Sequence, residues 1–138
     1  GAPDSAAAVD ALAGVDGLTV LIDGHNLLGV LEASTMATGR ARRALVAGLG
    51  KLARHLGGSV IEVVFDSDLE DGRSSTVTEA GIVVRFAQGD LIADDLIVER
   101  TGTLREAAVV VSDDREVRDR CGEYGATVLW SRALAVWL

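Results

Sequence analysis

Three aspartates follow short apolar runs: Asp23 closes Leu18–Ile22, Asp66 closes Ser59–Phe65, and Asp113 lies just beyond Ala107–Val111. A fourth acid, Asp94 or Asp95, falls in the first turns of a helical pattern that follows another apolar run, Ile82–Phe86. Acids so far apart in sequence converge if their runs are parallel strands, because parallel strands put their carboxyl ends on one edge of a sheet. Carboxylates gathered there repel and raise one another's pKa until something neutralises them. A hard divalent cation does so, and carboxylate oxygens suit Mg²⁺ or Mn²⁺. The aspartates would then be ligands rather than proton carriers, in a carboxylate metal site with no covalent nucleophile. Each aspartate alone is equally a turn former or a helix N-cap, so the case rests on their joint placement. Asp114, Glu116 and Asp119 are expected to be structural acids at a helix start, where the macrodipole favours them.

The runs that must position these acids are too short for helices and rich in β-branched residues, as strands buried on both faces are. A fifth, Ala126–Trp130, ends at Ser131. Between them Thr38–Leu56 is amphipathic, with Leu45, Leu49, Leu52 and Leu56 on one face and Arg40, Arg43, Lys51 and Arg54 on the other. Asp90–Arg100 carries Ile92, Ala93, Leu96 and Ile97 along one face, and Asp114–Tyr124 stops at Gly125. Ser131 is the expected N-cap of a last helix. This alternation predicts an α/β domain over residues 18–138, a central, mainly parallel five-stranded sheet covered on both faces. The Ala-rich residues 1–17 are expected to be a flexible N-terminal segment or a cloning remnant.

Composition excludes several classes. In 138 residues Cys121 is the only cysteine and His25 and His55 the only histidines, so a disulfide scaffold and a thiolate zinc cage are ruled out and a reducing, cytoplasmic compartment is expected. No apolar run approaches the roughly 18 residues that span a bilayer, so no membrane is expected as partner. There is no Walker-type phosphate loop, no GxGxxG after the first strand and no GxSxG elbow. Asp23-Gly-His-Asn lacks the second acid of the DxD used by aspartyl-phosphate phosphatases, and Lys51 is the only lysine, which excludes a phospho-receiver. Asp66-Ser-Asp-Leu-Glu-Asp-Gly mimics a calcium loop, but its glycine falls at position 7 and Val77 occupies position 12. The net charge of −8 opposes broad nucleic-acid affinity. Yet Ala33–Ile61 contains no acid, so Arg40, Arg43, Lys51 and Arg54 are the candidates for backbone phosphates.

Four segments together resemble the YacP-like family of NYN domains, in order and at plausible spacing. They are Leu21-Ile-Asp-Gly-His-Asn-Leu-Leu28, Val63-Val-Phe-Asp66, Ile92-Ala-Asp-Asp-Leu-Ile97 and Val110-Val-Ser-Asp113. The resemblance runs from about Leu18 to Ala133 and departs from the family pattern at His25, where an aromatic is usual; a structural histidine is expected there. It implies a three-layer PIN-like (Rossmann-like) fold and an endoribonuclease dependent on Mg²⁺ or Mn²⁺. Asp23, Asp66, Asp94 and Asp113 would be its acidic site, with Asn26 and Ser112 as polar support; the choice of Asp94 over Asp95 comes from the resemblance. The expected substrate is RNA, single-stranded or ribosome-associated, with other domains of a longer parent chain as further partners. The alternatives are a non-catalytic RNA-binding module of the same fold and a metal-dependent nucleotide phosphatase.

Overall fold

A computed structural model describes residues 5–31, 39–66, 75–77, 81–88 and 91–138, with side chains at 39–42 and 75–77 outside that description. Its order is α1 (Ala6–Asp10), a 3₁₀ turn (Ala11–Gly14), β1 (Thr19–Asp23), α2 (Gly24–Val30), α3 (Gly39–His55), β2 (Val60–Phe65), β3 (Ser75–Val77), β4 (Val83–Phe86), α4 (Ala93–Leu104), a second 3₁₀ turn (Arg105–Ala107), β5 (Ala108–Val111), α5 (Arg115–Glu123), β6 (Thr127–Leu129) and α6 (Ser131–Trp137). The sheet runs β3-β4-β2-β1-β5-β6. Five strands are mutually parallel, as expected, and β3 adds a short antiparallel edge beside β4 that the sequence did not signal. No helix among the described residues is long and apolar enough to cross a membrane.

The strands alternate with period two between two apolar layers. Val20, Ile22, Ile61, Val63, Phe65, Val109, Val111 and Leu129 face α1, α2, α3 and α6, where Val9, Leu27, Leu49, Leu52 and Leu134 meet them. Leu21, Val64, Ala108 and Val110 face α4 and α5, through Ala93, Ile97, Val98, Val117 and Cys121. A charged residue, Glu62 on β2, also enters the interior: it is 3 % exposed, and its carboxylate is shared by Arg85 and Arg100 at 2.8–3.3 Å. A buried carboxylate persists when its lone pairs are occupied in this way.

Two expectations are corrected. Residues 5–14 are not a loose leader. Val9 of α1 is 2 % exposed in the larger core, and Asp10 accepts from the Trp137 indole at 2.8 Å and pairs with His55 at 3.1 Å. The alanines concealed this, because the segment's partner is the last helix of the chain. Ser131 is not a side-chain cap either: Trp130 occupies the N-cap of α6 and Ser131 is its first residue. Thr38, the Asp90 start of the second helical pattern and most of the calcium-like loop lie outside the described residues.

Gly24 follows the first aspartate because of a close approach. A Cβ there would overlap the edge of the Phe65 ring, which is fully buried. Gly24→Ala is therefore expected to cost about 1–3 kcal/mol, the usual range for overpacking, read as a lower thermal midpoint. Loss of less than about 0.5 kcal/mol would show that the ring yields freely.

Candidate active site

The same alternation sorts the strand ends. Asp23 continues the Leu21 face of β1, Asp66 the Val64 face of β2, and Ser112 the Val110 face of β5, so all three point toward α4. α4 begins over them and brings Asp94 in its first turn. Asp23, Asp66 and Asp94 line one open cleft of about 360 Å³, together with His25, Asn26, Ile92, Ala93 and Asp114.

Each acid is held differently. Asp23, 7 % exposed, accepts the backbone N–H of Asn26 on one oxygen and the hydroxyl of Ser112 on the other, both at 3.3 Å. Asp66 accepts the backbone N–H of Ala93 at 2.8 Å, which fixes the start of α4 and hence Asp94, and its second oxygen lies 3.3 Å from His25 Nδ1. The His25 ring meets Phe65 edge-on, its centroid 5.3 Å away. Asp94 makes no side-chain hydrogen bond among the described residues, so both its oxygens remain for a ligand. Asp95, its neighbour, turns toward α5, where it lies 3.9 Å from Arg120.

Burial, the largest cause, pushes the Asp23 carboxyl up to about 6; the Asn26 N–H opposes the rise, the charge of Asp94 adds to it, Ser112 opposes and Asp66 adds. Asp94 is also raised, by burial first and then by Asp114, Asp66, Asp95 and Glu116. The cleft thus holds more negative charge than its surroundings relieve.

Asp113 is placed apart from this cleft. It falls one residue past Ser112 and so faces the opposite layer, where its carboxylate accepts the backbone N–H of Ser131 at 2.7 Å and caps α6. Its own N–H donates to Asn26 Oδ1 at 2.9 Å, and the Ser131 hydroxyl donates to the same oxygen. Asn26 therefore ties α2 to β5 and α6. Asp114, read from sequence as a helix-start acid, does cap α5 by accepting the Val117 N–H at 3.1 Å, yet it also lines the cleft. His25, read from sequence as a structural histidine, lines the cleft as well. The parity of Ser112 against Asp113 was the signal that would have separated them.

The basic helix is only partly close to the acids. α3 follows α2 from the carboxyl edge and leads into β2, so it runs away from the cleft. Arg43 is exposed toward the cleft end, whereas Arg54 lies about 16 Å further along the axis. Lys51 is at that far end too, with Nζ 5.0 Å over the Trp137 ring. The Arg40 side chain lies outside the described residues.

Among the described residues no three acids or histidines close into a ready cation cage. The donors that share the cleft are nonetheless hard carboxylate oxygens. That set fits an ion that takes one or two carboxylates and keeps several waters, as Mg²⁺ does, and does not fit a soft metal.

A model of the YacP-like NYN domain matches residues 20–137. Among solved structures, the crystal structure of a tryptophan-to-leucine mutant of Rae1 (YacP) from Bacillus subtilis is similar with a TM-score of 0.67. The identity is 22 %, and the alignment covers 85 % of this chain and 72 % of that one, a likeness of fold. No curated protein matches.

Proposed function

Because the chain belongs to the YacP-like NYN domain family, we propose that it is a divalent-metal-dependent endoribonuclease acting on RNA in the cytoplasm. One observation carries the reading. Three carboxylates from β1, from the end of β2 and from α4 face a single open cleft at the carboxyl edge, and two of them have raised pKa values there. Such a site spends folding stability to concentrate negative charge, which is useful where a cation and a phosphate must be recruited together.

Asp94, with Asp23 or Asp66, would hold Mg²⁺ or Mn²⁺. When bound, that ion supplies Lewis-acid stabilisation of a phosphoryl oxygen and a more acidic water for in-line attack. The chain's own part is orientation. Ser112 and the Asn26 N–H fix the rotamer of Asp23, the Ala93 N–H fixes Asp66, and the Asp66 cap sets the pitch of α4 on which Asp94 rides. Asp113 and Asn26 act behind the site by locking α2, β5 and α6 together. The openness of the cleft suits a single-stranded or locally unpaired substrate, whose backbone can be laid along an edge. The chain's strong net negative charge makes intrinsic affinity low, so a ribosome-sized assembly or another domain of a longer chain would supply part of the binding.

The non-catalytic RNA-binding reading has one observation in its favour: both oxygens of Asp23 already accept hydrogen bonds, and those of Asp66 are also engaged. Incubation of the chain with a panel of labelled RNAs decides between the two. Cleavage products are expected with millimolar Mn²⁺ or Mg²⁺ and are expected to vanish with chelator. RNA binding without cleavage on any substrate, alone or with ribosomes, would establish the binding module instead.

A further inference from the structure

Of the four residues expected along the apolar face of the second helical pattern, Ala93, Leu96 and Ile97 pack in the smaller core and Ile92 does not. Ile92 is the N-cap of α4, with extended backbone at φ −105° and ψ 166°, and it is 52 % exposed in the wall of the acidic cleft. We propose that Ile92 is a ledge for one nucleobase: the face of an unpaired base rests on it while the phosphate beside that base lies at the acids. The ligand is a single-stranded RNA segment held by a base face as well as by its backbone, and a purine fits the ledge better than a pyrimidine. This rests on the ribonuclease reading and adds to it what part of the substrate is held beside the acids.

Three observations support the ledge. An isolated exposed apolar residue is ordinary on a protein surface, but an N-cap is among the least favourable places for one, because Ser, Thr, Asp or Asn there satisfies an orphan N–H of the helix. Ile92 occupies that position because the Asp66 carboxylate, from the end of β2, accepts the first N–H of α4, that of Ala93, at 2.8 Å. The side chain at the N-cap is thereby released to face the cleft. Second, among the described residues Ile92 is the only large aliphatic side chain in a lining otherwise made of aspartates, His25, Asn26 and Ala93. A hydrated cation has no use for such a surface, whereas a nucleotide couples a charged phosphate to a base with an apolar face. Third, Ile92 precedes Asp94 by two residues, which keeps their Cα atoms within about 7 Å, the scale of a single nucleotide. Its β-branching also leaves few rotamers to lose when a base covers it. A duplex offers no base face, since each is already covered by its neighbours in the stack. An apolar protein segment needs a wider surface than this: Leu91, the preceding residue, is 43 % exposed but takes no part in the cleft wall.

The test is binding of fluorescent RNA dodecamers to the full chain in chelator, so that no cleavage occurs, with cleavage rates in Mn²⁺ as a second reading. Ile92→Ser is expected to weaken binding of oligoadenylate by about three- to tenfold, the loss expected for one or two buried methylene groups, and to raise KM with kcat unchanged. Its melting temperature should equal or exceed that of wild type, because serine is the better N-cap, which separates the ledge from a folding defect. Leu91→Ser, one residue away and similarly exposed, should stay within about twofold of wild type. Ile92→Phe should bind oligoadenylate at least as tightly as wild type, since a flat ring is the better platform. A dodecamer of the same backbone without bases should bind wild type and Ile92→Ser alike. Wild type should prefer oligoadenylate to oligouridylate, and Ile92→Ser should narrow that preference. If Ile92→Ser binds and cleaves oligoadenylate as wild type does, or loses as much affinity for the baseless strand, the ledge is wrong while the ribonuclease reading stands. Equal losses in Leu91→Ser and Ile92→Ser would mark a broader apolar surface suited to a protein and would overturn the ledge. If wild type binds RNA without cleaving it and Ile92→Ser weakens that binding, the ledge holds and the ribonuclease reading falls. If wild type neither binds nor cleaves any RNA, both fall together.

Discussion

Asp94→Asn is expected to lower metal-dependent RNA cleavage by about 10²–10³-fold, the size of effect seen when one preorganised electrostatic contact to a transition state is removed. Asp95→Asn should stay within about threefold of wild type. The two residues are adjacent, on the same helix, and the substitutions change charge and shape equally. Their surroundings differ: Asp94 lines the cleft, free of side-chain hydrogen bonds among the described residues, while Asp95 leans toward Arg120 at 3.9 Å, a half-exposed pair worth less than about 1 kcal/mol. Initial rates with saturating Mn²⁺, and melting curves to confirm intact folds, measure the contrast. Equal loss in both variants would mean that bulk negative potential, not a specific ligand, drives the activity. Equal retention in both would remove Asp94 from the site.

Asp23→Asn is expected to stabilise the metal-free protein at pH 7.5 by about 1–3 kcal/mol, the upper figure being the full equivalent of a carboxyl raised from 3.8 to about 6. The sign follows from linkage. The folded state holds this proton more tightly than the unfolded chain, so its contribution to stability is fully present below about pH 4. It is lost as pH rises through about 6. The wild type minus Asn difference in melting temperature should therefore be near zero at pH 4, turn against the wild type between pH 4 and 6, and level off above 7. Millimolar Mg²⁺ or Mn²⁺ should recover part of the loss at pH 7.5 in wild type and less in the variant, by mass action on the native state. A pH-independent difference would show that Asp23 is not strained by its burial. A metal effect of equal size in both proteins would show that Asp23 adds nothing to cation binding.

The architecture was legible because it is written in short-range chemistry. Apolar runs of five to seven residues, too short for helices and rich in β-branched residues, read as strands buried on both faces, and the leucines of Thr38–Leu56 repeat at helical spacing. The same runs brought Asp23 and Asp66 to one edge, and the resemblance singled out Asp94 on the following helix. What was harder lay in weak or distant signals. β3 is three residues long and pairs at an edge, which gives it no hydrophobic pattern to detect. α1 buries a single valine and depends on Trp137, 127 positions away.

By itself the sequence determined the order of the five parallel strands and the set of acids at their carboxyl edge, because periodicity and turn chemistry are local properties of the chain. Only the tertiary structure decided which acids share a cleft. In a strand one step reverses the side chain, so Ser112 joins Asp23 and Asp113 turns away to cap α6, while Asp114 returns toward the cleft as the cap of α5. Only the packing of α5 and α6 against the end of β6 placed two arginines over Trp130, since residues 118, 130 and 132 belong to three different elements. The raised pKa of Asp23 was likewise beyond the sequence. Desolvation and the field of neighbouring charges exist only once the layers have closed around the carboxylate.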